Sequence, residues 1–257
     1  MKTLIAIPCM DMMHTQFVCS LISQPPLADK TEITFGANSL IYDTRNQLTE
    51  KAIKEGFDRV LWIDSDMTFP PDFSHRLAAR LDEGYEFVSG LYITRKNPPK
   101  PVIFKKLTEK PEEVEFYLDY PRDSLFEIAA CGFGGVMMTV DLLKRVMEKF
   151  GRPFSPIFGY GEDISFCIRA GLLGTKMYCD SSIKMGHVGF KEITEETYLE
   201  RAVRLYGENK SIFSEEIQEI TEATYLERTK NEQKENTKNA EHGESRAVEN
   251  TERGMAD

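Results

Sequence analysis

Four short apolar runs open the chain: TLIAIP at 3–8, EITFG at 32–36, RVLWIDSD at 59–66 and FVSGLYI at 87–93. They are separated by three stretches with helical spacing: MMHTQFVCSLI at 12–22, a long one from Asn38 to Glu55, and one from Pro70 to Glu83. Gly56 and Gly84 close the second and third, and Pro70-Pro71 opens the third, in keeping with proline at helix starts and glycine past helix ends. Parallel strands need a long crossover between them, usually a helix, so this alternation specifies an α/β fold with a mainly parallel sheet flanked by helices.

The middle of the chain reads differently. VIFKKL, EVEFYLDY and FEIAACGFGGVMM, between 102 and 138, predict shorter, antiparallel strands. A helix follows, with Leu142, Leu143, Val146, Met147 and Phe150 on one side and Gly151 and Pro153 at its end. After FGYGED, a short helix ISFCIRA leads to KMYCDSSIKMGHVGF, a last strand and its exit loop. The pattern gives three regions: an α/β domain over 1–190, a helical extension over 191–229, and a polar tail over 230–257 with too little apolar surface to fold. The extension holds a small duplication, ITEETYLER at 193–201 and ITEATYLER at 220–228, each a capped amphipathic helix start.

With 257 residues, 41% of them hydrophobic, the chain can bury a large core. Its formal charge of −10 argues against a nucleic-acid binder, which carries a basic face for phosphates. Five scattered cysteines, never spaced C-x-x-C, suggest neither a disulfide framework nor a zinc ribbon. MKTLIAIPCMD is too short an apolar run for a signal peptide, and no stretch approaches the roughly 20 apolar residues of a membrane span. The expectation is a cytoplasmic protein without a transmembrane segment.

The third apolar run ends in Asp64-Ser65-Asp66. Alternation along a strand points both acids to one side, toward a shared target, and Ser65 to the other. In open α/β sheets ligands sit beyond the carboxyl ends of strands. Two carboxylates there suit Mg2+ or Mn2+, which take one or two carboxylates and complete their shell with water and substrate phosphates. A solvated turn is the plain alternative. VLWIDSDMT also fits the acid-nucleophile pattern of haloacid-dehalogenase phosphatases, with Asp64 as nucleophile. Against that, the pair follows two strand–helix units, and GEDISF lacks that family's later acid. A binding domain for nucleotide-sugars without catalysis is a third reading.

IPCMD, Arg45-Asn46, WIDSDMTFPPD, CGFGGVMM, GYGEDISFCIRAG and GHVG occur in an order that resembles GT-A-fold glycosyltransferases, particularly small family-2-like enzymes, over about Met1 to Gly189. The resemblance implies transfer of a sugar, with inversion, from a UDP- or GDP-sugar donor to a hydroxyl of a glycan, lipid or protein acceptor, assisted by Mn2+ or Mg2+. It implies Asp64, Asp66 and His187 as metal ligands, Asp163 as the base that deprotonates the acceptor, and Glu162 as its companion. It also puts Pro8, Asp11, Arg45, Asn46, Asp64, Gly134 and Gly135 beside the donor.

Each of these residues also has an ordinary role. Arg45 falls on the apolar face of its helix with Ile41, Leu48 and Ala52, so it needs an anionic partner, either a core carboxylate or the donor. Asp163 starts a short helix, where an acid is favoured in any case. The glycines could serve a tight bend or a close approach. Arg95 and Lys96 supply basic charge on a loop that could equally be solvated.

Overall fold

The computed structural model describes residues 1–10, 12–27, 30–37, 40–189, 194 and 195, all within one compact unit, Met1–Glu219. Asp11, most of the extension at 191–229 and the whole tail at 230–257 lie outside the described residues.

In chain order the elements are β1 (Lys2–Pro8), α1 (Thr15–Ile22), β2 (Lys30–Gly36), α2 (Ile41–Lys54), β3 (Arg59–Ile63), β4 (Met67–Thr68), α3 (Phe73–Asp82) and β5 (Phe87–Leu91). There follow β6 (Ile103–Lys106), β7 (Glu115–Phe116), β8 (Leu125–Ile128), β9 (Ala130–Cys131), β10 (Gly135–Thr139), α4 (Val140–Phe150), α5 (Glu162–Leu172), β11 (Met177–Lys184) and β12 (Gly186–His187). The main sheet has seven strands in the order β2-β1-β3-β10-β5-β11-β8. Five run one way; β10 and β8 run against them. The expected α/β architecture with a mostly parallel, helix-flanked sheet is the one observed.

Both faces of the sheet's centre are covered, so β1, β3, β5 and β10 are buried almost throughout rather than alternating, whereas the edge strand β2 alternates exposed and half-buried residues. On one face, Ile5, Ile7, Leu61, Ile63, Val88 and Met137 pack against Phe17 of α1 and Phe73 and Leu77 of α3. On the other, α2, α4 and α5 pack around an aromatic group in which Phe154 meets Trp62, Phe133 and Phe166 with centroids 5.2, 5.5 and 4.9 Å apart. Thr139 caps α4 by accepting the Leu142 N–H at 3.2 Å, and Gly151 ends it at φ 78°, a conformation glycine adopts without strain.

One sequence expectation fails where it matters most. The third strand stops at Ile63, and residues 64–66 form a turn in which the Met67 N–H reaches the Asp64 carbonyl at 3.3 Å. Alternation therefore carries only as far as Asp64, which stays on the side of Val60 and Trp62. From the turn the chain re-enters a two-stranded ladder, β4 with β12, that sets His187 opposite Met67. The Val188 N–H donates to the Asp66 carbonyl at 2.7 Å and tightens that junction.

Candidate active site

A pocket of about 340 Å³ opens at the carboxyl ends of β1 and β3. Pro8, Cys9 and Met10 form one wall, Ile41 and Thr44 of α2 a second, and Asp64, Ser65, Asp66, Arg95 and His187 the third. Its size is within the usual range for a small-molecule site. Ser65, expected on the opposite side from the acids, shares the pocket with them because the backbone is a turn there.

The two acids have different partners. Asp64 Oδ1 is 2.6 Å from Arg45 Nη2, and Arg45 Nε lies 3.2 Å from Glu162 Oε1. Arg45 is 1% exposed, with its guanidinium carbon 5.5 Å from the Trp62 ring and 5.3 Å from that of Phe133. A single guanidinium thus joins the end of β3 to the start of α5. Burial favours loss of its proton, but Asp64, Glu162 and Asp163 more than offset this and hold it charged. Asp66 Oδ2 instead meets Arg95 Nη2 at 2.9 Å and His187 Nε2 at 3.4 Å.

Charge is not balanced. Among the described residues, Asp64, Asp66, Glu162 and Asp163 are met by two arginines, Arg45 and Arg95, with His187 beside Asp66, so carboxylates outnumber arginines by two. The effect is visible in the proton affinities. Burial lifts Asp64 to about 6, Arg45 pulls the other way, and the Asp66 charge adds to the rise. Asp163 is pushed to about 7, first by burial and then by Glu162 beside it, despite accepting the Ile164 N–H at 2.7 Å. Asp66 moves down: burial raises it, but His187 and Arg95 outweigh that.

Among the described residues no three His, Cys, Asp or Glu side chains are grouped as a ready metal cage. Asp66 and His187 nonetheless form half of one. His187 Nδ1 lies 3.0 Å from the Ile93 carbonyl, an acceptor, so Nδ1 carries a proton and donates. In the neutral ring Nε2 then presents its lone pair to the Asp66 carboxylate. Only a proton on Nε2 or a cation between them makes that approach favourable. A carboxylate, an imidazole with a backbone partner on its other nitrogen, and an open pocket for phosphate oxygens together fit Mn2+ or Mg2+. A divalent ion would also cancel the surplus negative charge.

The other predicted residues fall in two groups. Pro8 lines the pocket, whereas Asp11 lies outside the described residues. Arg45 and Asn46 do not reach the pocket in this structure: both are 1% exposed, Arg45 is taken by two carboxylates, and Asn46 Oδ1 accepts the Phe154 N–H at 3.0 Å. Gly134 and Gly135 are also buried. A Cβ on Gly132 would come within 2.0 Å of the Tyr92 hydroxyl, on Gly134 within 2.9 Å of the Tyr92 ring, and on Gly135 within 2.4 Å of Met185. The close approach that these glycines allow is to Tyr92 and Met185, and none of the three glycines is among the residues lining the pocket. Tyr92, 7% exposed and packed edge-on against His187 at 5.4 Å, had no motif to announce it. Arg95 had only its charge.

No protein-family model matches the chain, and no curated protein matches it. Its fold is similar to that in the crystal structure of A197 from STIV, with a TM-score of 0.53 at 19% sequence identity, covering 74% of this chain and 86% of that one. It is also similar to GalNAc-T7 crystallised with UDP, GalNAc and Mn2+, with a TM-score of 0.50 at 12% identity. That match covers 79% of this chain and 48% of the other, so the chain spans about half the length of that protein. The likeness is one of fold, and it agrees with the expected GT-A class. No helix among the described residues is long and apolar enough to cross a membrane.

Proposed function

We propose that this chain is a metal-dependent glycosyltransferase that moves a sugar from a UDP- or GDP-sugar to a hydroxyl of a glycan, lipid or protein, with inversion, in the cytoplasm. One observation carries the reading: Arg45 ties the D-x-D turn at the pocket to the Glu162-Asp163 start of α5, so that the two acidic motifs belong to one charged unit. Asp66 and His187, with Asp64 behind them, would hold Mn2+ or Mg2+. Such an ion would offset the charge of the departing diphosphate. Asp163, poised near neutrality, would take the proton of the acceptor hydroxyl as its oxygen attacks the anomeric carbon and the nucleoside diphosphate leaves with the bonding pair. Glu162 would position rather than react, being held by Arg45. An acid-nucleophile phosphatase is disfavoured because Asp64, its required nucleophile, is bonded to a buried arginine.

The test is thermal unfolding with UDP, GDP or CDP, each with and without Mn2+. A ligand at about 100 times its Kd adds roughly 2.7 kcal/mol to stability. A shift with one nucleotide that needs metal and disappears in Asp66→Ala is the expected result. If no nucleotide shifts the transition and Asp64-dependent hydrolysis of an aryl phosphate appears instead, the proposal is wrong.

A further inference from the structure

We propose that Arg95 binds the donor's diphosphate, and that it is released for this task when a divalent ion takes its place on Asp66. The inference rests on the glycosyltransferase reading above. Three observations lead to it.

Arg95 Nη2 and His187 Nε2 approach the same atom, Asp66 Oδ2, at 2.9 and 3.4 Å. Asp66 and His187 would hold the ion, so guanidinium and metal would compete for the Asp66 carboxylate. Secondly, among the described residues lining the pocket Arg95 is the one arginine or lysine. A diphosphate entering beside Asp64 and Asp66 needs a cation that can reach it, and Arg45, buried between Asp64 and Glu162, cannot. Arg95 is 44% exposed. Thirdly, the loop that carries Arg95 is anchored without it. Thr94 N donates to the Lys100 carbonyl at 2.8 Å, Lys100 N donates to Thr94 Oγ1 at 3.0 Å, and the Ile93 carbonyl holds His187. Arg95 has a second contact, Nη1 donating to the Val188 carbonyl at 2.6 Å, that does not depend on Asp66. Its planar fork then suits phosphate oxygens as well as it suits a carboxylate.

Competition for one carboxylate gives effects of opposite sign, which a purely structural arginine would not produce. Titration calorimetry of the full chain with MnCl2 alone, and with UDP or GDP in saturating MnCl2, separates them. In Arg95→Gln, Mn2+ alone should bind at least threefold more tightly, while the nucleotide binds roughly ten- to hundredfold more weakly, the value of hydrogen bonds to a charged group. Arg95→Lys should recover part of the nucleotide loss. The corresponding nucleoside, lacking phosphates, should bind wild type and Arg95→Gln alike. If Arg95→Gln weakens both metal and nucleotide, Arg95 merely braces the turn and the inference is overturned; unchanged affinities overturn it too. If wild type binds neither nucleotide in MnCl2, the glycosyltransferase reading fails first and this inference goes with it.

Discussion

Arg45 Nη2 lies 2.6 Å from Asp64 Oδ1, and the arginine is almost wholly buried while the aspartate is 28% exposed. The cation is therefore structural on one side and faces the pocket, through its partner, on the other. Removing it would leave Asp64 and Glu162 without their shared counter-charge. Arg45→Met should lose about 3–5 kcal/mol of stability, the usual result of taking one partner from a buried pair, as read from the midpoint of urea unfolding. Arg45→Lys, which keeps the charge but loses the fork, should fall between wild type and Arg45→Met.

Asp163 gives a pH dependence whose sign can be worked out. A base must be ionised, so kcat/KM for transfer should rise with pH through an apparent pKa of about 7 and level off above it. Stability runs the other way. The folded chain holds this proton more tightly than the unfolded chain, whose ordinary value is 3.8, so the group's contribution is complete below about pH 4 and is lost as pH rises through about 7. Asp163→Asn should abolish transfer, retain metal-dependent nucleotide binding, and flatten the part of the stability profile between pH 4 and 7 that belongs to this carboxyl. Transfer by Asp163→Asn at the wild-type rate would exclude Asp163 as the base.

Gly132 and Tyr92 should behave as a pair. Gly132→Ala puts a methyl group 2.0 Å from the Tyr92 hydroxyl and 2.8 Å from Val102 Cγ1, and crowding of this kind costs about 1–3 kcal/mol. Tyr92→Phe removes the nearer obstacle. In a double-mutant cycle by thermal unfolding, the Gly132→Ala penalty should be smaller in the Tyr92→Phe background, by more than the 0.3–0.5 kcal/mol within which independent sites add.

Asn46 connects α2 to the segment leading into α5. With Asn46→Leu the buried Phe154 N–H loses its acceptor, at a cost of about 1–3 kcal/mol. The start of α5 would also lose a tether, so amide exchange measured across 152–163 should quicken more than exchange in β1 or β3.

Most of the sheet was legible because burial imposes periods that a sequence must obey. Val60 to Ile63 could only be a buried strand, and Pro70 and Gly84 bracketed α3 to within a few residues. Arg45 on an apolar helix face announced a buried anionic partner. What it could not announce was which partner, since Glu162 lies 117 residues away and no spacing rule spans that distance. The expectation that Ser65 points away from Asp64 and Asp66 failed because it extended a strand by alternation past the point where the backbone turned; both acids line one pocket, but from a turn. The glycines at 132–135 suggest a tight bend or close approach to a donor; their nearest side chains are Tyr92 and Met185, whose positions are set by tertiary packing alone.

The pairing of β4 with β12 also sets an order of events in the life of each molecule. Asp66 and His187 stand 121 positions apart, and a ribosome adding about 5–20 residues per second needs roughly 6–24 s to pass from one to the other. Through that interval the nascent chain carries its acidic turn without the histidine and without the strand that fastens it. A half-made molecule therefore lacks part of the proposed metal centre, and that centre can form only after nearly all of the sheet has been synthesised.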